Sequence, residues 1–88
     1  MNKIEYSYKQ YKVIENEIEY DVNEYSNGSK YWRYKNQWHR INGPAIEFAN
    51  GTKSWFLNGE HYPTKKEYYR KLLKRKLITK KEAFIELI

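Results

Sequence analysis

One segment of the chain returns later in the sequence with the same spacing of its most distinctive residues. Residues 25–34 read YSNGSKYWRY and residues 48–57 read FANGTKSWFL, so an aromatic residue, Asn-Gly, Ser or Thr before Lys, and Trp recur at equal offsets. A repeat of this length is typical of a supersecondary unit that buries its apolar side against the next unit. The repeat therefore constrains the architecture strongly, whereas it predicts no chemistry.

The chain up to Tyr62 carries the pattern of short strands joined by tight turns. From Ile14 to Val22 apolar residues alternate with acidic ones, which predicts a half-buried strand with an acidic outer face. Asn-Gly pairs at 27–28, 50–51 and 58–59 predict turns, because both residue types tolerate a positive φ. We therefore predict an antiparallel meander of at least five strands.

The period of the apolar residues changes after Pro63. Residues 64–67 (TKKE) form a capping-box pattern, and apolar residues at helical spacing follow, which predicts a helix of about three turns over 64–77. Residues 79–82 repeat the TKKE pattern and predict a shorter second helix that ends in Phe84, Ile85, Leu87 and Ile88. The predicted fold class is α+β: an antiparallel β-meander of hairpin units capped by C-terminal helices.

Composition limits the chain to one domain without cysteine chemistry. The 88 residues divide into an N-terminal strand region (1–24), two repeat units (25–62) and a basic helical cap (63–88). Absence of cysteine excludes disulfides and thiolate metal sites. The first residues lack the apolar stretch of a signal peptide, and no apolar run is long enough to span a bilayer. We expect a soluble cytoplasmic protein without a membrane partner.

The net charge of +6 is concentrated near the C-terminus. Residues 63–81 contain nine Lys or Arg and a single acid, Glu67, which gives this segment a charge of +8. Such an imbalance predicts either a solvated helix face or a surface that binds a polyanion. The residues predicted to bind a polyanion are Lys65, Lys66, Arg70, Lys71, Lys74, Arg75 and Lys76.

Alternation within the repeat separates a buried side from an outward side. The repeated face predicts core positions for Trp32, Tyr34, Phe48, Trp55 and Leu57. Tyr31 and Arg33 fall out of register with that face, and with Trp38 they have the composition of an interface hot spot or of a platform for unpaired bases.

The middle of the chain resembles a known unit. Residues 32–45 (WRYKNQWHRINGPA) are similar to the W-x-x-x-(N/D)-G-x-x-H-R-x-(D/N)-G-P-A unit of small phage and bacterial proteins related to MORN repeats. The resemblance covers residues 25–62 and departs from the pattern at 61–63 (HYP), where His-Arg would stand, and at 36–37 (NQ), where a Gly-containing turn is usual. It implies a β-hairpin repeat architecture and a viral or mobile-element source, and no reaction.

His39 and Arg40 are the adjacent pair with the most chemical character. A catalytic imidazole needs a carboxylate or nucleophile partner, and none stands at a telling spacing. His39 and His61 without an acidic cluster do not predict a metal site. We favour a structural interpretation, in which the pair bonds turn carbonyls and stacks on Trp32 or Trp38, over partner binding. No cofactor and no enzymatic activity are predicted.

Three functions remain compatible with these features. We favour a non-enzymatic interaction protein, phage-encoded, that binds and inhibits a host protein or protein–nucleic-acid complex through Tyr31, Arg33, Trp38, His39 and Arg40. Its sharpest form is counter-defence inhibition, for example anti-CRISPR activity. The alternative is a direct RNA-binding or single-strand-binding module that uses the basic helix and the outward aromatic residues. A structural subunit of a virion is the third.

Overall fold

The computed structural model describes residues 7–87, and within them seven strands precede two helices. The elements are β1 (Tyr8–Glu15), β2 (Ile18–Tyr25), β3 (Lys30–Tyr34), β4 (Gln37–Trp38), β5 (Ile46–Glu47), β6 (Lys53–Leu57), β7 (Glu60–Tyr62), α1 (Lys65–Lys74) and α2 (Lys80–Leu87). Every strand pairing is antiparallel, in the order β1-β2-β3-β5-β6-β7 with β4 beside β3. The predicted α+β fold, a meander followed by C-terminal helices, is confirmed.

The predicted strand from Ile14 to Val22 is wrong, because a hairpin turn interrupts it. Asn16 and Glu17 have φ values of 53° and 66°, and two successive residues at positive φ form the tight turn that suits the twist of a β-hairpin. This turn joins β1 to β2 and places Ile14 and Ile18 on opposite faces of the sheet. Ile14 is consequently 75 % exposed, although the alternation predicted a buried position.

Two turns at equivalent places in the repeat have the same geometry. Gly28 and Gly51 have φ values of 98° and 91°, a region that glycine enters at little cost. The N–H of Gly28 donates to the Tyr25 carbonyl, and the N–H of Gly51 donates to the Phe48 carbonyl, both at 2.9 Å. The offset of the repeat in the sequence, which brings Gly28 to Gly51, is therefore also the offset of these turns in the fold.

The hairpins that follow these turns also correspond. Lys35 and Asn36 join β3 to β4 at φ values of 49° and 64°. Asn58 and Gly59 join β6 to β7 at 50° and 83°, again at the matching place in the second copy of the repeat. The turn at 35–36 thus forms without glycine, since Asn tolerates the left-handed region. Equivalent turns do not establish descent, so the relation to MORN-like units stays a prediction.

The sheet has one covered face and one uncovered face. The core face carries a first buried cluster, formed by Tyr20, Val22, Trp32 and Ala45. Further along the sheet a second cluster joins β6 and β7 to the helices, and its members are Leu57, Tyr62, Tyr68, Tyr69, Leu72, Ile78 and Ala83. Trp55 is half-buried against the second cluster, with its ring 5.0 Å from that of Tyr68. We call the opposite side the open face.

The C-terminal helices start as their sequences predict. The Thr64 hydroxyl accepts a hydrogen bond from the Glu67 N–H at 3.1 Å and so caps α1. Thr79 and Glu82 complete a reciprocal capping box at the start of α2. The predicted end of the first helix at residue 77 is wrong.

Helix α1 ends at Lys74, with Arg75 as its C-cap and Lys76 at a φ of 57°. Leu77 is therefore exposed, and Ile78 enters the second cluster in its place. Ile88, which the sequence places in the second helix, lies outside the described residues.

Candidate interaction surfaces

A row of aromatic rings crosses the open face of the sheet. Its ring centroids are 5.2 Å apart between Tyr8 and Tyr25, 5.3 Å between Tyr25 and Tyr31, and 5.5 Å between Tyr31 and Trp38. The ring of Phe48 lies 6.3 Å from Tyr31. These separations are those of interacting aromatic pairs. We call these five residues the aromatic row.

The row is partly accessible because no described element covers it. Tyr8 is 55 % exposed and Phe48 is 38 % exposed, while the other three rings are half-buried among their neighbours. Helix α1 packs on β6 and β7 through the second cluster, on the core face. The core position predicted for Phe48 is wrong, because residue 48 follows β5 and its ring joins Tyr31 on the open face.

Arg33 lies beside the aromatic row, and no carboxylate oxygen of the described residues is within 4 Å of its guanidinium. It pairs with Trp38 across β3 and β4, and with Asp21 across β2 and β3. The Asp21 carboxylate, however, is 2.5 Å from the ammonium of Lys12, and this hydrogen bond lowers the pKa of Asp21. Arg33 itself makes one long bond, from Nη2 to Oδ1 of Asn23 at 3.4 Å.

The charges around the aromatic row are balanced. Alternation places the side chains of Lys12, Glu19, Asp21 and Arg33 on the open face, because their strand partners lie on it. Two cations and two anions give this part of the sheet no excess of positive charge. A face with charges of both signs complements a protein surface that also carries both signs better than it complements a phosphate backbone, which is uniformly negative.

The five residues predicted to bind a partner do not form one surface. Tyr31, Arg33 and Trp38 come together on the open face. His39 is only 4 % exposed and stands near Tyr34 on the core face, and Arg40 also points to that face. The predicted outward trio is therefore one continuous patch, separated from the adjacent pair by the sheet.

The Arg40 guanidinium contacts Glu15, Pro44 and Trp32 on the core face of the sheet. Its Nε and Nη2 donate to the two carboxylate oxygens of Glu15 at 3.1 Å each, and Nη1 donates to the Pro44 carbonyl at 3.3 Å. The guanidinium carbon lies 3.7 Å from the centre of the Trp32 ring. A Cβ on Gly43 would come within 2.8 Å of this guanidinium, so a larger residue at position 43 would displace the Arg40 side chain from its present position. These contacts match the structural interpretation of Arg40.

Tyrosine hydroxyls hold the buried loop of residues 39–45. The Tyr20 hydroxyl accepts from the Ile41 N–H at 3.0 Å. The Tyr68 hydroxyl accepts from the Gly43 N–H at 3.2 Å and donates to the Arg40 carbonyl. Burial raises the pKa of Tyr68, so its hydroxyl keeps the proton that it donates. The loop is thus tied to β2 on one side and to α1 on the other.

His39 serves as a hydrogen-bond acceptor inside the fold. Its Nδ1 accepts from the Asn58 N–H at 2.8 Å, where the sequence had suggested a bond to a turn carbonyl. Burial, and secondarily the charge of Arg75, lowers the pKa of His39 below the ordinary value of 6.5. The folded protein therefore favours the neutral imidazole more strongly than the unfolded chain does.

We expect this preference to make the protein less stable in mild acid. The stabilisation from a neutral His39 is present above pH 6.5 and is lost as the pH falls below that value, because the unfolded chain then binds the proton first. His39→Asn keeps an acceptor for the Asn58 N–H and removes the titrating group. Urea unfolding at pH 7 and pH 5.5 should show a smaller loss in this variant than in the wild type.

His61→Asn, which removes an exposed imidazole from β7, is the matched control for that measurement. An equal loss of stability in the wild type and in His39→Asn would contradict the prediction.

The predicted polyanion-binding residues lie on and just after α1. Lys66, Arg70 and Lys74 are exposed at intervals of one helical turn. Lys65 is 3.6 Å from Glu86, and Arg75 donates to Asn58 Oδ1 at 3.2 Å. Of the remaining two, Lys71 is half-buried and Lys76 is exposed.

The basic helix and the aromatic row are on opposite sides of the sheet. Tyr68, Tyr69 and Leu72 of α1 pack in the second cluster with Leu57, which lies on the core face. The aromatic row lies on the open face. The predicted binding module therefore requires a single strand that passes around an edge of the sheet to contact both surfaces.

Sequence reasoning missed three members of the aromatic row, Tyr8, Tyr25 and Phe48. Tyr8 and Tyr25 face each other only because the hairpin turn at 16–17 sets the register of β1 against β2. Recognising that turn would have placed Tyr8 beside the repeat. Phe48 was assigned to the core from its place in the repeat.

Comparison with protein-family models, with curated proteins and with solved structures finds no match for this chain. In the part of the chain that the structure describes, none of the helices has the length and apolar character needed to cross a membrane.

Proposed function

We propose that this protein is a non-enzymatic interaction module whose open face binds another protein. In the fullest form of the proposal it is phage-encoded, acts in the cytoplasm, and inhibits a host protein or ribonucleoprotein complex, as counter-defence proteins do. The observation that carries the proposal is the aromatic row, five neighbouring rings on a sheet face that no described element covers.

Energetics support this role for the row. Aromatic and Arg side chains contribute most of the binding free energy at protein interfaces. Burial of the exposed parts of Tyr8 and Phe48 by a partner would remove apolar area from water. Two sides of Tyr31 are already fixed by Tyr25 and Trp38, so little side-chain entropy is lost on binding.

The charge balance of the open face favours a protein over a nucleic acid. Glu19 and Asp21 would repel a phosphate backbone laid along the row, whereas a protein surface can offer both signs of charge. Binding should therefore weaken only modestly with salt.

The test is photo-crosslinking in cells from a single position. A photoreactive phenylalanine analogue replaces Phe48 in the aromatic row or, as the matched control, Phe84, which is exposed on α2. We expect a crosslinked protein from position 48 and none of that product from position 84. Tyr31→Ala should abolish the crosslink, since loss of a central interface aromatic costs about tenfold or more in affinity.

Crosslinks that form equally at both positions, or that survive Tyr31→Ala, would contradict the proposal. So would crosslinking at position 48 to nucleic acid alone.

The second candidate function is direct binding of nucleic acid by the basic helix α1, with no contribution from the aromatic row. Lys66, Arg70 and Lys74 form an exposed line of cations, and none has a described carboxylate within 4 Å. Tight binding to naked RNA or DNA that falls steeply with salt would favour this candidate. In that case, we expect changing the three cations to Gln to reduce the salt dependence. The slope of the logarithm of the binding constant against the logarithm of the salt concentration should become shallower by about one unit for each phosphate that is no longer neutralised.

A further inference from the structure

Arg33 is a half-buried cation whose hydrogen-bonding capacity is almost unused. Its Nε is buried and has no hydrogen-bond partner. No carboxylate oxygen among residues 7–87 lies within 4 Å of its guanidinium. The carboxylate of Asp21, whose pKa is lowered mainly by Lys12 and to a smaller extent by Arg33, makes its hydrogen bond to Lys12. The single bond to Asn23 is long. A guanidinium can donate five hydrogen bonds, so most of its donors depend on solvent.

A partner that covers the aromatic row would remove that solvent. Removing water from a cation without giving it an anion is costly. The cost is of the kind seen when mutation removes one partner of a buried ion pair and leaves the other charge buried and unpaired. Tyr31 and Trp38 flank Arg33 and would exclude water around it once the face is covered. A compatible partner must therefore supply an acceptor at this point.

We infer that the partner of the open face presents an Asp or Glu carboxylate to Arg33, flanked by apolar side chains that lie on the aromatic row. This inference rests on the proposed function. The planar fork of Arg matches a carboxylate in two parallel hydrogen bonds. A single carboxylate also fits beside Glu19 and Asp21 better than a chain of phosphates does.

A random peptide library displayed on phage supplies the probe. Peptides are selected on the immobilised wild type after removal of those that bind the Tyr31→Ala variant, so that the remaining peptides require the row. We expect them to be enriched in Asp or Glu next to aromatic or aliphatic residues. Their affinity should fall at least about tenfold for Arg33→Gln, because the carboxylate loses its charge-assisted bonds.

Arg33→Lys keeps the positive charge and loses the planar guanidinium that can form two parallel hydrogen bonds. Its affinity for the selected peptides should lie between those of the wild type and of Arg33→Gln. Unchanged melting temperatures of both variants establish that folding is intact, as the single long bond of Arg33 leads us to expect.

The outcomes separate the inference from the function on which it rests. Peptides that require Tyr31, show no acidic enrichment and bind Arg33→Gln normally would overturn the inference and leave the open face as a binding surface. If no peptide remains after removal of the Tyr31→Ala binders, the proposed function and the inference both fail.

Discussion

Trp32→Ala should lower the free energy of unfolding by about 3–5 kcal/mol, the range for large aromatic side chains removed from a core. Trp32 is 6 % exposed, stands edge to face with Tyr20 at 5.4 Å, and supports the guanidinium of Arg40. Its removal leaves a cavity and also frees the arginine. Denaturant unfolding followed by tyrosine fluorescence or circular dichroism measures the change in stability.

Trp32→Phe is the control that separates ring packing from indole hydrogen bonding. The indole Nε1 is buried and has no hydrogen-bond partner, so phenylalanine removes an unsatisfied donor together with some packing. We expect this variant to lose much less stability than Trp32→Ala. The half-buried Trp55 occupies the corresponding place in the repeat, and Trp55→Ala should cost less than Trp32→Ala. Equal losses at the two tryptophans would contradict this ordering.

Arg40→Ala should cost about 2–3 kcal/mol, less than a fully buried ion pair because both partners keep some exposure. The change leaves the Glu15 carboxylate without its bidentate partner, the Pro44 carbonyl without its donor, and the Trp32 ring without its cover. Urea unfolding at pH 7 measures the effect.

Lys12→Ala is the matched control, since it breaks an exposed ion pair with Asp21. Exposed pairs contribute little, so this variant should unfold at nearly the wild-type urea concentration. The stability of Arg40→Lys should lie between those of the two variants, because lysine retains the positive charge and lacks the planar guanidinium that bonds both carboxylate oxygens. The structural role of Arg40 would be refuted if Arg40→Ala and Lys12→Ala were equally stable.

Local signals in the sequence predicted much of the fold. Asn-Gly turns, capping threonines and the change from period two to helical spacing are short-range features, and each of them forms where it was expected. Of the two predicted capping boxes, the one at Thr79 and Glu82 is reciprocal, whereas at α1 the structure shows only the bond from the Glu67 N–H to the Thr64 hydroxyl. The hairpin at Asn16 and Glu17 was missed because glutamate is not a turn-forming residue and Ile14 and Ile18 remain in phase across the turn, although Asn16 interrupts the apolar positions between them. The end of α1 was misplaced for a similar reason, as Lys76 takes a positive φ without any glycine signal.

The candidate site was predictable only where it depends on one strand. Alternation within β3 separates Tyr31 and Arg33 from Trp32, and this separation could be derived from neighbouring residues. The contribution of Tyr8 depends on the register of β1 against β2, which the missed hairpin controls. The contact of Arg40 with Glu15 joins residues 25 positions apart and has no local signal.

The loop of residues 39–45 has a consequence for how the molecule unfolds. The backbone at the two ends of the loop bonds to β3 and β6, whereas the N–H groups of Ile41 and Gly43 in its middle donate to hydroxyls that belong to the first and the second cluster. Amide hydrogens in a connection usually exchange quickly with water through small local openings. Here an opening that exposes these amides must break the hydrogen bond to Tyr20 or to Tyr68, so the loop belongs to the cooperative unit of the fold. The exchange rates of the Ile41 and Gly43 amides therefore report on the coupling between the first and the second cluster.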